Sequence, residues 1–236
     1  MKNGIKVQLD DLFERWEKEQ IKEIDDFEQS KISNSYLNEY NANCSLKKIN
    51  RRKSFTRDGI INEEKWNDGA KILFVLKEAN VEGSIEEFKK SSECKDDTFE
   101  ADVRYEGRFW FKSEVEKNIA EKNRIGRRLK KIGVSLTKDE NFSLETIAYM
   151  NLNKRGGLKS QNKKVIKGYL EYYKEFITEE IKIINPNIIV VCCGKHKYAY
   201  AFKEILDKEF QDKEKRYYYH PSYRISNDRY FKGIEL

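Results

Sequence analysis

Residues 181–201, IKIINPNIIVVCCGKHKYAYA, decide the fold of this chain. The middle of the stretch is a short, continuous apolar run that ends in Gly194, and helical patterns precede and follow it. A run of this length, apolar on both faces, is typical of a strand in a parallel sheet that helices cover on each side. Because strand and helix alternate, the stretch predicts βαβ units with right-handed crossovers, and therefore an α/β protein.

Three more apolar runs extend this pattern along the chain, at residues 70–80, 144–153 and, more weakly, 216–220. Apolar residues at helical spacing indicate helices at 8–30, 111–132, 163–184 and 197–210, with a polar, loop-rich stretch from the first of these to about residue 60. We therefore predict a single domain over residues 1–236. It is a three-layer α/β/α sandwich with a largely parallel central sheet and an N-terminal helical extension over about residues 1–65.

The composition excludes membrane-spanning and secreted proteins. Charged residues make up 37% of the chain and aromatic residues 13%, a balance that indicates a soluble, folded domain. No apolar run approaches the roughly 20 residues that cross a bilayer, and the first residues lack the apolar core of a signal peptide. We expect a cytoplasmic protein with no membrane partner.

The cysteines predict packing rather than chemistry. The spacing of Cys44, Cys94, Cys192 and Cys193 fits neither a zinc site nor a disulfide framework. The adjacent pair should point to opposite faces of one strand. The chain also has no Gly-rich nucleotide fingerprint and no Ser-centred nucleophile motif. We expect no metal and no cofactor.

Positive charge is concentrated in one fifth of the chain. Residues 124–174 hold thirteen basic and four acidic side chains, whereas the whole chain has a net charge of +6. Most charge runs are solvated faces, and that remains the alternative here. A patch of this strength is also what a polyanion-binding surface requires, so the segment favours nucleic acid as the partner.

Polar side chains follow each apolar run. In an open parallel sheet, ligands bind at the carboxyl ends of the strands. The residues at those ends are Lys77 to Asn80, Asn151 to Asn153, Gly194 to His196, and His220 to Ser222. A carboxylate, several carboxamides and a histidine thus converge on one edge. His196 lies between two lysines at a helix start, and we interpret it as structural.

In order and type, these strand ends resemble the motifs of the uracil-DNA glycosylase superfamily, most closely its thermostable iron–sulfur branch. Lys77-Glu78-Ala79-Asn80-Val81 takes the place of that branch's Gly-Glu-Ala-Pro-Gly motif. Asn151, within AYMNLNKRGG, is similar to the Asn that closes a strand before a basic loop. Residues 181–201 look like the family's Pro-x-x-Ile-Val segment, and His220-Pro221-Ser222-Tyr223 like its His-Pro-Ala/Ser-Tyr motif. The likeness covers residues 70–224.

The chain departs from the family pattern at three points. Lys77 and Asn80 replace the Gly and Pro of the first motif, which changes the backbone of the water-binding loop. The cluster cysteines of the iron–sulfur branch are missing, so no cluster is expected. Residues 82–110 diverge from the family's short loop, in which an aromatic side chain stacks on the extruded base. That stacking role would fall to Phe109 or Trp110.

The resemblance implies a monofunctional DNA glycosylase, which extrudes a base and hydrolyses its N-glycosidic bond to leave an abasic site. His220 would donate a hydrogen bond to the departing base. Asn151 would read the base edge, since a carboxamide offers a donor and an acceptor together. Glu78, assisted by Asn80, would activate or position the water.

The expected partner is DNA, as a duplex with an extruded base or as a single strand, and the expected state is a monomer. Tyr223 and Arg224 lie where family members insert a loop into the minor groove. The DNA-binding residues predicted from the basic segment and from this loop are Lys154, Arg155, Lys163, Lys164, Lys167, Ser222, Tyr223 and Arg224.

Two substrate classes remain open. One is uracil in DNA repair, and the other is a modified pyrimidine, such as a 5-substituted cytosine of phage DNA, in antiviral defence. The altered first motif and the long 82–110 segment favour the second, because a long loop at this edge more often makes a wider site. The alternative from another class is a non-catalytic DNA- or RNA-binding module that keeps the fold.

Overall fold

The computed structural model describes residues 4–44, 55–78, 107–156 and 162–236. Five strands form one mixed sheet in the spatial order β1-β3-β2-β4-β5. They are β1 (Gly59–Ile60), β2 (Ile72–Glu78), β3 (Ile147–Asn153), β4 (Ile188–Val191) and β5 (Glu214–Tyr217). Only the two-residue β1 runs antiparallel to its neighbour, and β2 to β5 are parallel. The predicted α/β class with a largely parallel sheet is confirmed.

Nine helices surround the sheet within the described ranges. Six lie before or between the strands in the first three quarters of the chain: α1 (Ile5–Glu28), α2 (Ser35–Asn43), α3 (Glu63–Asp68), α4 (Gly107–Glu116), α5 (Arg124–Thr137) and α6 (Lys163–Tyr172). Three follow: α7 (Lys174–Ile184), α8 (Lys197–Glu209) and α9 (Asn227–Phe231). No helix in these ranges is both long enough and apolar enough to cross a membrane.

Alternating strand residues divide the interior into two clusters, one on each face of the sheet. Leu73 and Val75 pack with α1, α2, α6, α7 and α8 on one face. Phe74 and Leu76 pack with α4, α5 and α9 on the other. Cys193 belongs to the first cluster and Cys192 to the second, as expected for neighbours in an extended chain. The sheet is therefore the middle of three layers.

Several element boundaries differ from the sequence prediction. The helix predicted over 163–184 is interrupted at Tyr173, between α6 and α7. The one predicted over 111–132 is two helices, because Asn123 ends the intervening turn and accepts the Gly126 N–H as the cap of α5. The stretch predicted as loop contains α2, whose Tyr36, Leu37 and Tyr40 are buried. A short helix with three apolar residues gives too weak a periodicity to detect.

The N-terminal helix α1 is part of the core. Phe13 and Trp16 are fully buried, and the Trp16 ring stacks on Phe176 of α7 at 5.4 Å. On the same helix, buried Glu23 accepts hydrogen bonds from Tyr36 and from Tyr173, and it pairs with Arg155 at 2.8 Å. The predicted extension thus contributes directly to one of the two helical layers.

Candidate functional site

The carboxyl ends of the parallel strands meet at one edge of the sheet. The chain leaves β2 towards β3 on one side, while β4 and β5 lie on its other side. Such a point, where the connections diverge, is where open α/β sheets bind ligands. Lys77 and Glu78 end β2, Asn153 ends β3, and His220 follows β5. The ends of β2 and β3 are neighbours at this edge, and His220 lies beyond β4, the strand between β2 and β5.

Glu78 is held by Asn153, its partner in the register of β2 and β3. The Asn153 side-chain Nδ2 donates to Glu78 Oε2 at 3.3 Å, and its Oδ1 accepts the Arg155 backbone N–H at 3.0 Å. With Oδ1 already occupied by a donor, the amide can only turn its NH₂ towards the carboxylate. Burial raises the pKa of Glu78 to about 7, against the smaller lowering effects of Asn153 and Lys77. The carboxyl group can thus exchange a proton near neutral pH.

His220 is fixed as a neutral imidazole. Its Nδ1 lies 2.7 Å from Ser222 Oγ and accepts the Ser222 backbone N–H at 3.3 Å. A backbone N–H can only donate, so Nδ1 is unprotonated and the ring proton is on Nε2. Burial, together with the positive charge of Lys77, lowers the pKa of His220 to about 3. The ring therefore stays neutral at physiological pH and offers Nε2–H as a donor.

Lys77 and His196 complete the electrostatic environment of this edge. Burial lowers the pKa of Lys77, whereas Glu78 raises it. His196 caps the N-terminal end of α8 with its backbone, but its ring makes no cap hydrogen bond. Burial, followed by the charges of Lys163 and Lys77, lowers the pKa of His196. The prediction that His196 lies at the start of a helix is confirmed. The structure adds that the positive charge of Lys77 acts on both His196 and His220.

The structure separates the two strand-end asparagines. Asn151 pairs in register with Leu76, two residues deeper in the sheet than the pair Glu78 and Asn153. It is 1% exposed, and its backbone N–H donates to Asp58 at 2.6 Å while Nδ2 donates to the same carboxylate at 3.3 Å. The Asn151 side-chain oxygen Oδ1 is buried and has no hydrogen-bond partner among the described residues. Asn153, which the sequence comparison passed over, is the amide that contacts the carboxylate.

Two residues predicted to bind DNA are interior residues instead. Lys154 and Arg155 are both fully buried. Lys154 pairs with Asp58 and, at 2.9 Å, with Glu180, whereas Arg155 pairs with Glu23. The prediction that this pair contacts DNA is wrong, because neither ammonium nor guanidinium reaches solvent. Their charges are balanced by acidic residues brought in from distant elements.

The remaining basic residues of the prediction lie at the surface of α6. Lys163 and Lys164 are exposed and lie in its first turn, after the Asn162 cap. Lys164 lies 3.4 Å from Glu39, and Lys167 lies 2.6 Å from Glu171 on the same helix. These lysines are available to a polyanion, but two of them already have a carboxylate neighbour.

Arg128 of α5 organises the loop that follows His220. Its Nη1 donates to the carbonyls of Pro221 and Tyr223 at 2.9 and 2.7 Å, and its Nη2 donates to that of Ile225 at 2.8 Å. The guanidinium also lies 4.0 Å from the centre of the Tyr230 ring. Within this loop Ser222, Tyr223 and Arg224 are exposed, and Tyr223 stacks on Tyr219 at 5.2 Å. A single buried cation thus fixes the turn that holds Ser222 against His220.

The predictions for the first-motif loop and the stacking aromatic lie outside what is described. Asn80 belongs to residues 79–106, which the description does not cover. Phe109 and Trp110 fall in α4, but only their backbone is described. The neighbouring Phe111 is buried and stacks on Tyr149 of β3 at 4.8 Å. That contact places the described part of α4 against the sheet.

No family model matches the chain, and no curated protein matches it either. The side chains at the carboxyl ends of the strands define the chemistry of this edge. It combines a carboxyl group that titrates near neutral pH with a neutral imidazole that can donate. Together these groups can accept a proton from water and stabilise a leaving group that gains negative charge.

Proposed function

We propose that the chain is a monofunctional DNA glycosylase of the uracil-DNA glycosylase type, acting on a modified pyrimidine or on uracil. The observation that carries the proposal is the presence at one sheet edge of both Glu78, with its pKa near 7, and His220, held as a neutral donor. Hydrolysis of an N-glycosidic bond needs both functions at once. The order of the motifs along the sequence supports the same activity.

The N-glycosidic bond is cleaved while the extruded base is bound at the carboxyl edge of the sheet. The N-glycosidic bond breaks and its electron pair passes to the base, while the sugar develops positive charge. His220 Nε2–H donates to the base oxygen that gains negative charge, and a neutral donor keeps its proton through this step. Water then bonds to the sugar C1′, and its proton passes to Glu78, which Asn153 orients. The base leaves as an anion that takes up a proton after release, Glu78 returns its proton to solvent, and an abasic site remains in the DNA.

The base-reading role stays with Asn151 as a prediction. Its unpaired Oδ1 is the atom that would accept a base N–H. Because Asn151 is 1% exposed, a base reaches that oxygen only when the groups covering it move. The stacking role of Phe109 or Trp110 also remains a prediction.

Among substrates we favour a 5-substituted pyrimidine over plain uracil. Lys77 stands where the related motif has Gly, and it is partly buried beside the reacting groups. A long cation at this position adds a donor that a substituent on the base could meet. The divergent 82–110 segment supports the same preference.

Base release from oligonucleotides tests the proposal. Single strands and duplexes carrying uracil, 5-hydroxymethylcytosine or its glucosylated form are incubated with the protein, and alkali then breaks any abasic site. We expect clear release of a 5-substituted base and weak or no release of uracil. His220→Ala should lower the rate by roughly a hundredfold or more, the effect of losing one preorganised donor. Glu204→Gln, an exposed change on α8, is the control and should leave the rate unchanged.

The outcomes separate the alternatives. If the protein releases uracil efficiently and leaves the modified bases in place, its substrate is uracil and its role is DNA repair. If the wild-type protein binds DNA but releases no base, the glycosylase proposal is wrong and a non-catalytic binding module gains support.

A further inference from the structure

A cleft of about 960 Å³ separates helix α5 from the segment that follows His220. Its cationic lining consists of Arg124, Arg127, Arg128, Lys130, Lys131 and Arg224, and its acidic lining of Glu121 and Glu140. We call this cleft the α5 groove. Six cations against two carboxylates leave it strongly positive, which is the condition for attracting a polyanion.

The charge of the α5 groove comes from a helical stripe. Arg124, Arg127 and Lys131 are exposed and recur at the spacing that places residues on one face of a helix. The opposite face is buried through Leu129 and Ile132. Gly133 brings α5 so close to its neighbour that a Cβ there would lie 2.0 Å from the Phe142 ring. The stripe therefore stands on a helix whose position is fixed.

The second wall of the α5 groove is the loop of the proposed active site. Arg128 ties α5 to that loop through the carbonyls of Pro221, Tyr223 and Ile225. Arg124 adds a longer contact of 3.4 Å to the Ser222 carbonyl. The groove is thus continuous with the turn that holds His220. A chain lying in it would lead directly to the carboxyl edge of the sheet.

The cations of the α5 groove are less neutralised by nearby carboxylates than the lysines of α6 are. No carboxylate of a described residue lies within ion-pair distance of Arg124, Arg127, Lys131 or Arg224, and Lys130 offsets Glu121 at 2.8 Å. On α6, by contrast, Lys164 and Lys167 face Glu39 and Glu171. The positive charge of residues 124–174 that is not offset by carboxylates therefore lies mainly in the α5 groove.

The spacing of the cations selects a linear ligand. From Arg124 to Lys131 the helix rises about 10 Å. The phosphates of one DNA strand follow each other at about 3.4 Å along the axis, so the stripe spans about three of them. A small anion would instead need donors that converge on one point. We infer that the α5 groove binds the sugar–phosphate backbone of the DNA strand next to the extruded base, an inference that rests on the proposed function.

Salt dependence of DNA binding tests this inference. Binding of fluorescent single-stranded and duplex oligonucleotides is measured by anisotropy at several salt concentrations. Each lost phosphate contact flattens the slope of log affinity against log salt by about 0.9 on duplex and about 0.7 on single strands. The variant Arg124→Gln/Arg127→Gln/Lys131→Gln should therefore flatten the slope by about two to three units. The charge-matched control Lys18→Gln/Lys22→Gln/Lys182→Gln changes exposed lysines of the opposite helical layer and should flatten it by less than one.

The result also separates this inference from the proposed function. An unchanged slope in the groove variant, or equal flattening in both variants, would overturn the inference even if the protein releases a base. A flattened slope confined to the groove variant would uphold binding of the sugar–phosphate backbone in the α5 groove even if no base is released. The absence of base release would then contradict only the glycosylase proposal. Circular dichroism of both variants confirms that each is folded.

Discussion

At the scale of single residues, Glu78 and His220 set the expected pH dependence. Burial raises the pKa of Glu78 to about 7, so the carboxylate that accepts a proton is scarce below that pH. The rate constant kcat/KM for base release should therefore rise about tenfold per pH unit up to about pH 7, and then level off. Because the pKa of His220 is lowered to about 3, its protonation should add no second inflection between about pH 5 and pH 9.

Glu78→Gln removes the titrating group and provides the control. This variant should be slow at every pH, and its residual rate should lose the rise towards neutral pH. A profile that keeps the same inflection in Glu78→Gln would assign the titration to another group. The pH profile is measured with saturating and with limiting oligonucleotide, which separates free protein from complex.

The sequence predicts which residues lie at the carboxyl edge of the sheet better than it predicts what those residues contact. Glu78 could be found because it ends an apolar strand, and His220 because it closely follows β5, since strand ends converge in a parallel sheet. Asn153 was missed because the choice between it and Asn151 depends on register, which sets Glu78 opposite Asn153. Lys154 and Arg155 were misassigned because their acidic partners come from α1, α7 and the segment before β1. Charge composition alone does not reveal pairing between distant elements.

At the scale of elements, the contact between α5 and the His220 loop yields a second prediction. Arg128→Lys keeps one positive charge but cannot reach the three carbonyls that a guanidinium fork reaches. We expect kcat for base release to fall roughly tenfold to a hundredfold, because the turn that holds His220 loses its support. The salt slope of DNA binding should remain that of the wild-type protein, since the charge is conserved.

Arg229→Lys is the matched control for this change. It is the same substitution at an exposed position of α9, and it should leave kcat unchanged. If Arg128→Lys lowered kcat and also shifted the inflection assigned to Glu78, Arg128 would act on the carboxyl group rather than on the loop. An unchanged kcat in Arg128→Lys would show that the loop keeps its shape without the guanidinium.

A third prediction concerns helix α6. Replacement of Lys163, Lys164 and Lys167 by Gln should flatten the salt slope by no more than about one unit. The physical reason is that Lys164 and Lys167 already lie beside Glu39 and Glu171, whose repulsion of a phosphate offsets their attraction. The anisotropy titrations described for the α5 groove measure this directly. Flattening by about three units would instead place α6 on the DNA path.

At the scale of the whole molecule, buried charges join the helical layer of α1 and α7 to the sheet. Lys154 is surrounded by Asp58 and Glu180, and burial raises the pKa of Glu180 well above its usual range. Lys154→Met would leave the buried carboxyl groups of Asp58 and Glu180 without their shared cation. We expect a loss of about 3–5 kcal/mol in the free energy of unfolding, measured by urea denaturation, with no change in the salt slope of DNA binding.

Lys164→Met is the control for this effect. Lys164 is exposed, so its replacement should change the free energy of unfolding by less than about 0.5 kcal/mol. A Lys154→Met protein of wild-type stability that bound DNA less tightly would restore the original assignment of Lys154 to the DNA surface.

The pairing of β2 has a consequence for how the chain folds. Ile72 pairs with Ile147 on one side and with Ile188 on the other, so both neighbours of the central strand leave the ribosome long after it does. Such non-local pairing slows folding, and it leaves a strand of five buried apolar residues exposed to other nascent chains meanwhile. Lys71 precedes those residues, and Lys77 and Glu78 follow them. Charges that flank an apolar strand act as gatekeepers against aggregation. Replacing Lys77 or Glu78 by an uncharged residue therefore also removes a charge that protects the unpaired strand from aggregation. We expect the yield of soluble protein to fall in such variants.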